Sequence, residues 1–214
     1  MSEEELQKLF ERNLAAKTVS TATGLKVAEK IKEIADRENV EFAIAGGLAM
    51  HLYGFERATK DVDFLANKRL PVTVVRYLSF GGERFEIEIG GEKIDVDWIM
   101  RRDNYKDFYK LALAEATEVK GWKILTPEWL VILKYIAGRP KDEIDMLWLL
   151  QQENLVKRRV VRKKFIEVAG AMQGDLIYRE IERRYFPLAT KRNNGDENES
   201  YIPPDSEDYP EYNE

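Results

Sequence analysis

The chain has 214 residues, 44% hydrophobic and 34% charged, with 11% aromatic. That apolar share supports a sizeable core and excludes a wholly disordered chain, while no uncharged apolar run reaches the roughly 18 residues a membrane span requires. The formal net charge of −5 misleads: two of the 34 basic and eight of the 39 acidic residues lie from Lys191 onward, leaving 32 against 31 before it.

The acidity therefore belongs to segment 191–214, rich in Asn, Glu, Asp, Pro and Tyr. Such a composition cannot offset its ordering entropy, and disorder is expected there. The absence of cysteine excludes disulfides, a thiolate nucleophile and zinc–thiolate sites. Met1 to Leu6 carry neither the basic patch nor the apolar stretch of a secretory signal, so the cytoplasm is the expected location, with no membrane association.

In chain order, residues 3–17 and about 23–37 carry apolar positions at helical spacing: Leu6, Phe10 and Leu14, then Val27, Ile31 and Ile34. Glu41 to Ala45 read as a short buried strand running into Gly46-Gly47. Leu48 to Tyr53 then look helical, with Gly54 as a stop. Asp61 to Leu65, Phe85 to Ile89 and Lys93 to Ile99 alternate as strands, the last two joined by the short Gly90-Gly91 link of a tight hairpin. Tyr105 to Ala114 reads as a helix and Ala116 to Leu125 as one extended segment. Thr126-Pro127 then supplies a cap and a first-turn proline. Helices are expected over 127–137, about 140–152, and one or two more through 156–185, with Gly138-Arg139-Pro140 separating the first two. These elements predict an α/β (α+β) fold, a small mixed sheet with flanking helices followed by a helical region. The expected divisions are 1–125, 126–190 and the tail 191–214.

Chemistry concentrates between residues 43 and 65. Residues two apart on a strand share a face, so Asp61 and Asp63 project together, about 7 Å apart along the backbone, while Val62 and Phe64 enter the core. Two like charges on one face are costly unless solvated or bridged by a cation, and magnesium takes carboxylate oxygens together with substrate phosphates. On the later strand Ile94, Val96 and Trp98 occupy one face and Asp95 and Asp97 the other. Were the two strands neighbours, Asp95 or Asp97 would join Asp61 and Asp63, giving three carboxylates for in-line displacement at phosphorus and an acid to accept a hydroxyl proton. A hairpin with an acidic solvent face satisfies the same spacing. Gly46-Gly47, after a strand and before a helix, lets backbone amides approach an anion.

Lys134 is the only charged residue in the otherwise apolar run Trp129 to Ala137, so its ammonium needs an anion or an exit to solvent. Asp142 and Asp145, three apart on the next helix, are candidates to orient it or to face a base or ribose. Arg57 and Lys60 lie close enough in sequence to the acids to steer a triphosphate. His51, the only histidine, lacks partners for a metal site. In segment 157–164 six of eight residues are basic, the best candidate for contacting an RNA backbone, although such a run also suits the wet face of a helix.

The order Gly46-Gly47, a 13-residue gap, Asp61-Val62-Asp63 and then Asp95 resembles the nucleotidyltransferase superfamily. Residues 54–60, Leu125 to Lys134, and Gly138 to Asp145 are most similar to its AbiEii-type members, so the resemblance spans roughly residues 43–150. It implies a nucleotidyltransferase-like fold and transfer of a nucleoside monophosphate from a nucleoside triphosphate to an acceptor hydroxyl. Magnesium or manganese would be held by Asp61, Asp63 and Asp95, with Asp97 an alternative third acid. It further implies phosphate contacts from Gly46, Gly47 and Lys134, with Asp142 and Asp145 as acidic partners of the lysine. The AbiEii likeness suggests a toxin that modifies a transfer RNA end and is opposed by a cognate antitoxin. A non-catalytic protein that keeps the fold to bind a nucleotide or partner is the competing expectation.

Overall fold

The computed structural model describes residues 18–190; the helix expected over 3–17 and the acidic segment 191–214 lie outside them. The described residues form α1 (Thr21–Arg37), β1 (Phe42–Ile44), α2 (Gly46–Leu52), β2 (Asp61–Ala66), β3 (Arg76–Tyr77), β4 (Gly82–Ile89) and β5 (Glu92–Ile99). There follow α3 (Lys106–Ala114), β6 (Thr117–Val119), β7 (Trp122–Ile124), α4 (Pro127–Ala137), α5 (Pro140–Leu150), α6 (Arg158–Ala169) and α7 (Ala171–Thr190). One mixed sheet has the order β3-β4-β5-β2-β1-β7-β6. The expected α/β class, a mixed sheet with flanking helices and a helical region, is what the chain adopts.

Local chemistry explains most of these elements. Ser20 caps α1 by accepting from the Thr23 N–H at 3.1 Å, and Val27, Ala28, Ile31 and Ala35 form its buried stripe. Thr126 caps α4 by accepting from the Trp129 N–H, Pro127 opens it, and Gly138 closes it at φ 63°, a left-handed conformation that favours glycine. Pro140 then starts α5.

β2 and β5 each turn one face to the core. Trp98 is fully buried among Phe42, Phe64 and Phe85, with ring centroids 5.6–6.2 Å away, and its Nε1–H donates to the Lys68 carbonyl at 2.8 Å. That packing forces the alternate residues, the aspartates, to the other face. One cluster of buried side chains runs from Val19 to Tyr185, drawing on the sheet and on α4 to α7.

Three elements differ from expectation. The stretch expected as one strand over 116–125 is a hairpin, β6 and β7, because Lys120 and Gly121 both take positive φ, 53° and 82°, as a tight primed turn demands. The helix after the glycine pair starts at Gly46 itself. Strand β3, two residues long at the sheet edge, is too short for any periodic signal. No described helix is long and apolar enough to cross a membrane.

Candidate active site

Strand β5 lies beside β2, in parallel, and its register sets Asp95 against Asp61 and Asp97 against Asp63. Four carboxylates thus share one face of two adjacent strands. The next strand, β4, runs antiparallel to β5 and brings Arg84 opposite Asp97. Its guanidinium reaches into the acids. Nε and Nη2 donate to the two oxygens of Asp97 at 2.5 and 2.7 Å, Nη2 also donates to Asp61 Oδ2 at 2.7 Å, and Nη1 to Asp95 Oδ2 at 3.1 Å. This charge-assisted cage, in which the Asp97 bond is the foremost influence, holds Arg84 well above the ordinary arginine range.

Asp63 stands apart from the cage. Its Oδ2 accepts from the Gly47 N–H at 3.4 Å, and its own backbone carbonyl accepts from the Ala45 N–H at 2.9 Å. Burial, then the negative charge of Asp61, pushes its carboxyl up to about 6; Asp97 adds to this and Lys134 opposes it. The glycine pair is shaped around this residue. A Cβ on Gly46, at φ 51°, would sit 1.9 Å from Asp63 Oδ2, and one on Gly47 would sit 2.5 Å from Thr59 Oγ1. Both glycines therefore have a packing reason that sequence spacing did not disclose.

A narrow crevice of about 60 Å³ runs between the turn and α4, bordered by Gly46, Asp63, Lys134, Arg139 and Asp142. Ligand pockets usually span hundreds of Å³, so a nucleotide would have to lie at its mouth, over the carboxylates.

Lys134 finds its anions within the protein. Its Nζ lies 3.0 Å from Asp142 Oδ1 and 2.5 Å from Asp145 Oδ2, and the residue is only 6% exposed. Asp145 also takes a two-pronged bond from Arg57 at 2.5 and 2.7 Å, and Asp142 one from Arg139 at 2.5 and 3.2 Å. Asp142 and Asp145 thus sit as one of their two expected roles, orienting Lys134, requires. Asp142 is fully buried at the border of the crevice and spends its oxygens on Lys134 and Arg139. Arg57, expected near a triphosphate, is committed to Asp145. Burial raises the Asp142 carboxyl, but Arg139 and Lys134 together outweigh it and hold the group below its ordinary value.

Lys60 is exposed. His51 is a packing residue: Nε2 donates to the Arg57 carbonyl at 2.5 Å and Nδ1 accepts from Thr21 Oγ1 at 3.3 Å. The basic stretch 157–164 does not form a continuous strip. Arg162 pairs with Asp175, Lys164 with Glu115, and the Arg158 guanidinium stacks 4.2 Å over Phe186. Arg159 and Lys163 are its exposed charges besides Lys157, whose Nζ bonds the Glu153 carbonyl.

The donor set bears on a metal. Among the described residues no three acidic or histidine side chains are arranged as a ligand group, because Arg84 draws Asp95 and Asp97 to itself. Of the three carboxylates expected to hold the metal, Asp61 and Asp95 are each bonded to Arg84 and Asp63 is not. Asp63 and the Asp61 Oδ1 atom, which among the described residues meets Thr59 Oγ1 at 3.5 Å, remain outside the guanidinium's bonds. Two carboxylates completed by substrate phosphates is a normal magnesium donor set, and in that form the residues fit.

The mixed sheet, the glycine turn and the paired acidic strands define a nucleotidyltransferase-like α/β protein. The chain belongs to the family of nucleotidyltransferases of unknown function (DUF6036), whose profile matches residues 24–190. Among solved structures it is similar to an antigenic nucleotidyltransferase-like protein from Paracoccidioides brasiliensis, at 15% identity over 82% of this chain and 95% of that one, with TM-score 0.46. It is also similar to the antibiotic-resistance factor ANT(2'')-Ia, in solution (19% identity, 81% and 99% covered, TM-score 0.35) and in complex with adenylyl-2''-tobramycin (20%, 76% and 99%, TM-score 0.34). No curated protein matches the chain.

Proposed function

We propose that the chain moves a nucleoside monophosphate from a nucleoside triphosphate to an acceptor hydroxyl, at the carboxylate face of β2 and β5, in a reaction that requires magnesium or manganese. The observation that carries this reading is an excess of charge: four aspartates share one face, and among the described residues a single guanidinium pairs with three of them. A divalent ion held by Asp61 and Asp63 would supply the missing positive charge and offset charge building on the phosphates and the departing pyrophosphate. Asp95, whose side chain is 41% exposed, is the acid of the cluster open to an acceptor, and would take the proton from its hydroxyl. Gly46 borders the crevice beside Asp63, so the triphosphate would lie along the turn. Lys134 would act through its field on Asp63, not by touching phosphate.

The test is label transfer from α-labelled triphosphates to total RNA and to a protein extract. Wild type should label one of them, and Asp63→Asn should lower labelling by about a hundredfold or more with the fold intact. Retained transfer in Asp63→Asn discards the assignment. Label at transfer RNA ends would favour the toxin role and an antitoxin partner, with Arg159 and Lys163 as backbone contacts. A second reading, a non-catalytic protein that binds a nucleotide or partner, is favoured by Arg84 standing among the acids. It expects triphosphate binding with no label on any acceptor.

A further inference from the structure

Arg84 has no counterpart in the sequence reading, and its position makes two demands on whatever binds beside it. Its Nη2 is shared between Asp61 Oδ2 and Asp97 Oδ2, so a cation approaching Asp61 meets a positive charge already bonded to that carboxylate. The guanidinium is also poorly placed to leave alone, since its side chain is only 17% exposed and its fork on Asp97 has both oxygens occupied. Pulling it away from Asp61 and Asp95 costs less if another anion meets it. The triphosphate of the proposed substrate is such an anion, and it would lie on the same face.

We infer that Arg84 is a resident counter-cation that competes with the divalent ion for Asp61, and that metal and triphosphate consequently load as a pair. This rests on the nucleotidyl-transfer reading above and adds a positioning residue to it. With metal alone, two positive groups contend for one carboxylate. With metal and triphosphate together, the guanidinium exchanges Asp61 and Asp95 for phosphate oxygens while keeping Asp97 as its anchor. Each ligand then raises the affinity of the other by the same factor.

The competition is read by manganese binding, followed through the electron paramagnetic resonance signal of the free ion, on the full chain without nucleotide. Arg84→Gln should bind manganese about tenfold more tightly than wild type, and the gain should vanish in the double variant carrying Asp61→Asn. Equal or weaker binding by Arg84→Gln overturns the inference. If Arg84→Gln does not fold, wild type answers through the amide-region signal of the Arg84 Nε–H, assigned by its loss in Arg84→Lys. That signal should shift when magnesium and the α,β-methylene analogue of ATP are added together, and an unmoved signal in the loaded protein overturns the inference. Failure here is separable from failure of the parent reading. If Asp63→Asn abolishes label transfer while Arg84→Gln leaves manganese affinity unchanged, only the role of Arg84 falls; if Asp63→Asn retains transfer, the site itself is discarded.

Discussion

Two clusters of aspartate lie close together in this protein and behave as opposites. In the helical cluster, Asp142 and Asp145 are fully buried and meet three cations, Lys134, Arg57 and Arg139. On the sheet, Asp61, Asp63, Asp95 and Asp97 are all partly accessible; among the described residues the first and the last two meet one cation, Arg84, while Asp63 accepts from the Gly47 N–H. The first cluster is closed and its acids are satisfied, as a buried charge must be. The second carries a formal excess of three negative charges, which a fold bearing only stability in mind would avoid. Charge balance, more than acid count, separates an architectural cluster from one with capacity for chemistry.

The comparison breaks most visibly at Asp145. Replacing it by alanine strands the Arg57 guanidinium and half of the Lys134 contacts inside the protein, and should cost about 3–5 kcal/mol in urea unfolding at neutral pH. Asp97→Asn in the sheet cluster removes one of four like charges while keeping an oxygen for Arg84, and should change stability by less than about 1 kcal/mol. If the two variants lose equal stability, the distinction between the clusters is wrong.

The two clusters were also unequally legible in the sequence. Alternation within Asp61 to Leu65 and Lys93 to Ile99 sufficed to put the four aspartates on one face of each strand, because a period of two leaves no other arrangement once Val62, Phe64, Val96 and Trp98 are buried. Arg84 is also encoded in the local pattern, through the register of the hairpin. A two-residue hairpin at Gly90-Gly91 pairs Ile89 with Glu92, and counting back along both strands pairs Arg84 with Asp97. The helical cluster was half visible, since a lone lysine in an apolar helix demands a partner, and Asp142 lies eight residues on. Arg57 and Asp145 are 88 residues apart and meet only through tertiary packing, which no local pattern records. The Lys120-Gly121 turn is not legible in the sequence because lysine at positive φ is uncommon and carries no turn signature.

A smaller effect is expected at the glycine turn, where the sheet cluster borders the backbone. Gly46→Ala would hold an alanine at φ 51° and push its Cβ into the Asp63 carboxylate, costing about 2 kcal/mol in thermal or urea unfolding. Since the atom displaced is the Asp63 oxygen, transfer activity should fall in the folded protein at temperatures well below its midpoint. An alanine variant as stable and as active as wild type would mean that Asp63 has room to spare, and that the close approach at Gly46 is not what positions it.

A further effect distinguishes the clusters by the sign of their response to pH. Asp63 has its carboxyl raised from the ordinary 3.8 to about 6, so between those values the native state binds more protons than the unfolded chain. Its contribution to stability is therefore complete below about pH 4 and lost as pH rises through 6, a change of roughly 1–2 kcal/mol after allowance for solvent around a partly accessible group. Asp142, held below its ordinary value by Arg139 and Lys134, contributes in the opposite direction: its stabilisation is present above about pH 4 and disappears as the pH falls. Urea unfolding of wild type and Asp63→Asn across pH 4 to 7 separates them, because the variant should gain on wild type as the pH rises while both retain the acid-side loss due to Asp142. Parallel curves for the two proteins would show that Asp63 already has a compensating cation, which would remove the charge excess on which the contrast between the clusters depends.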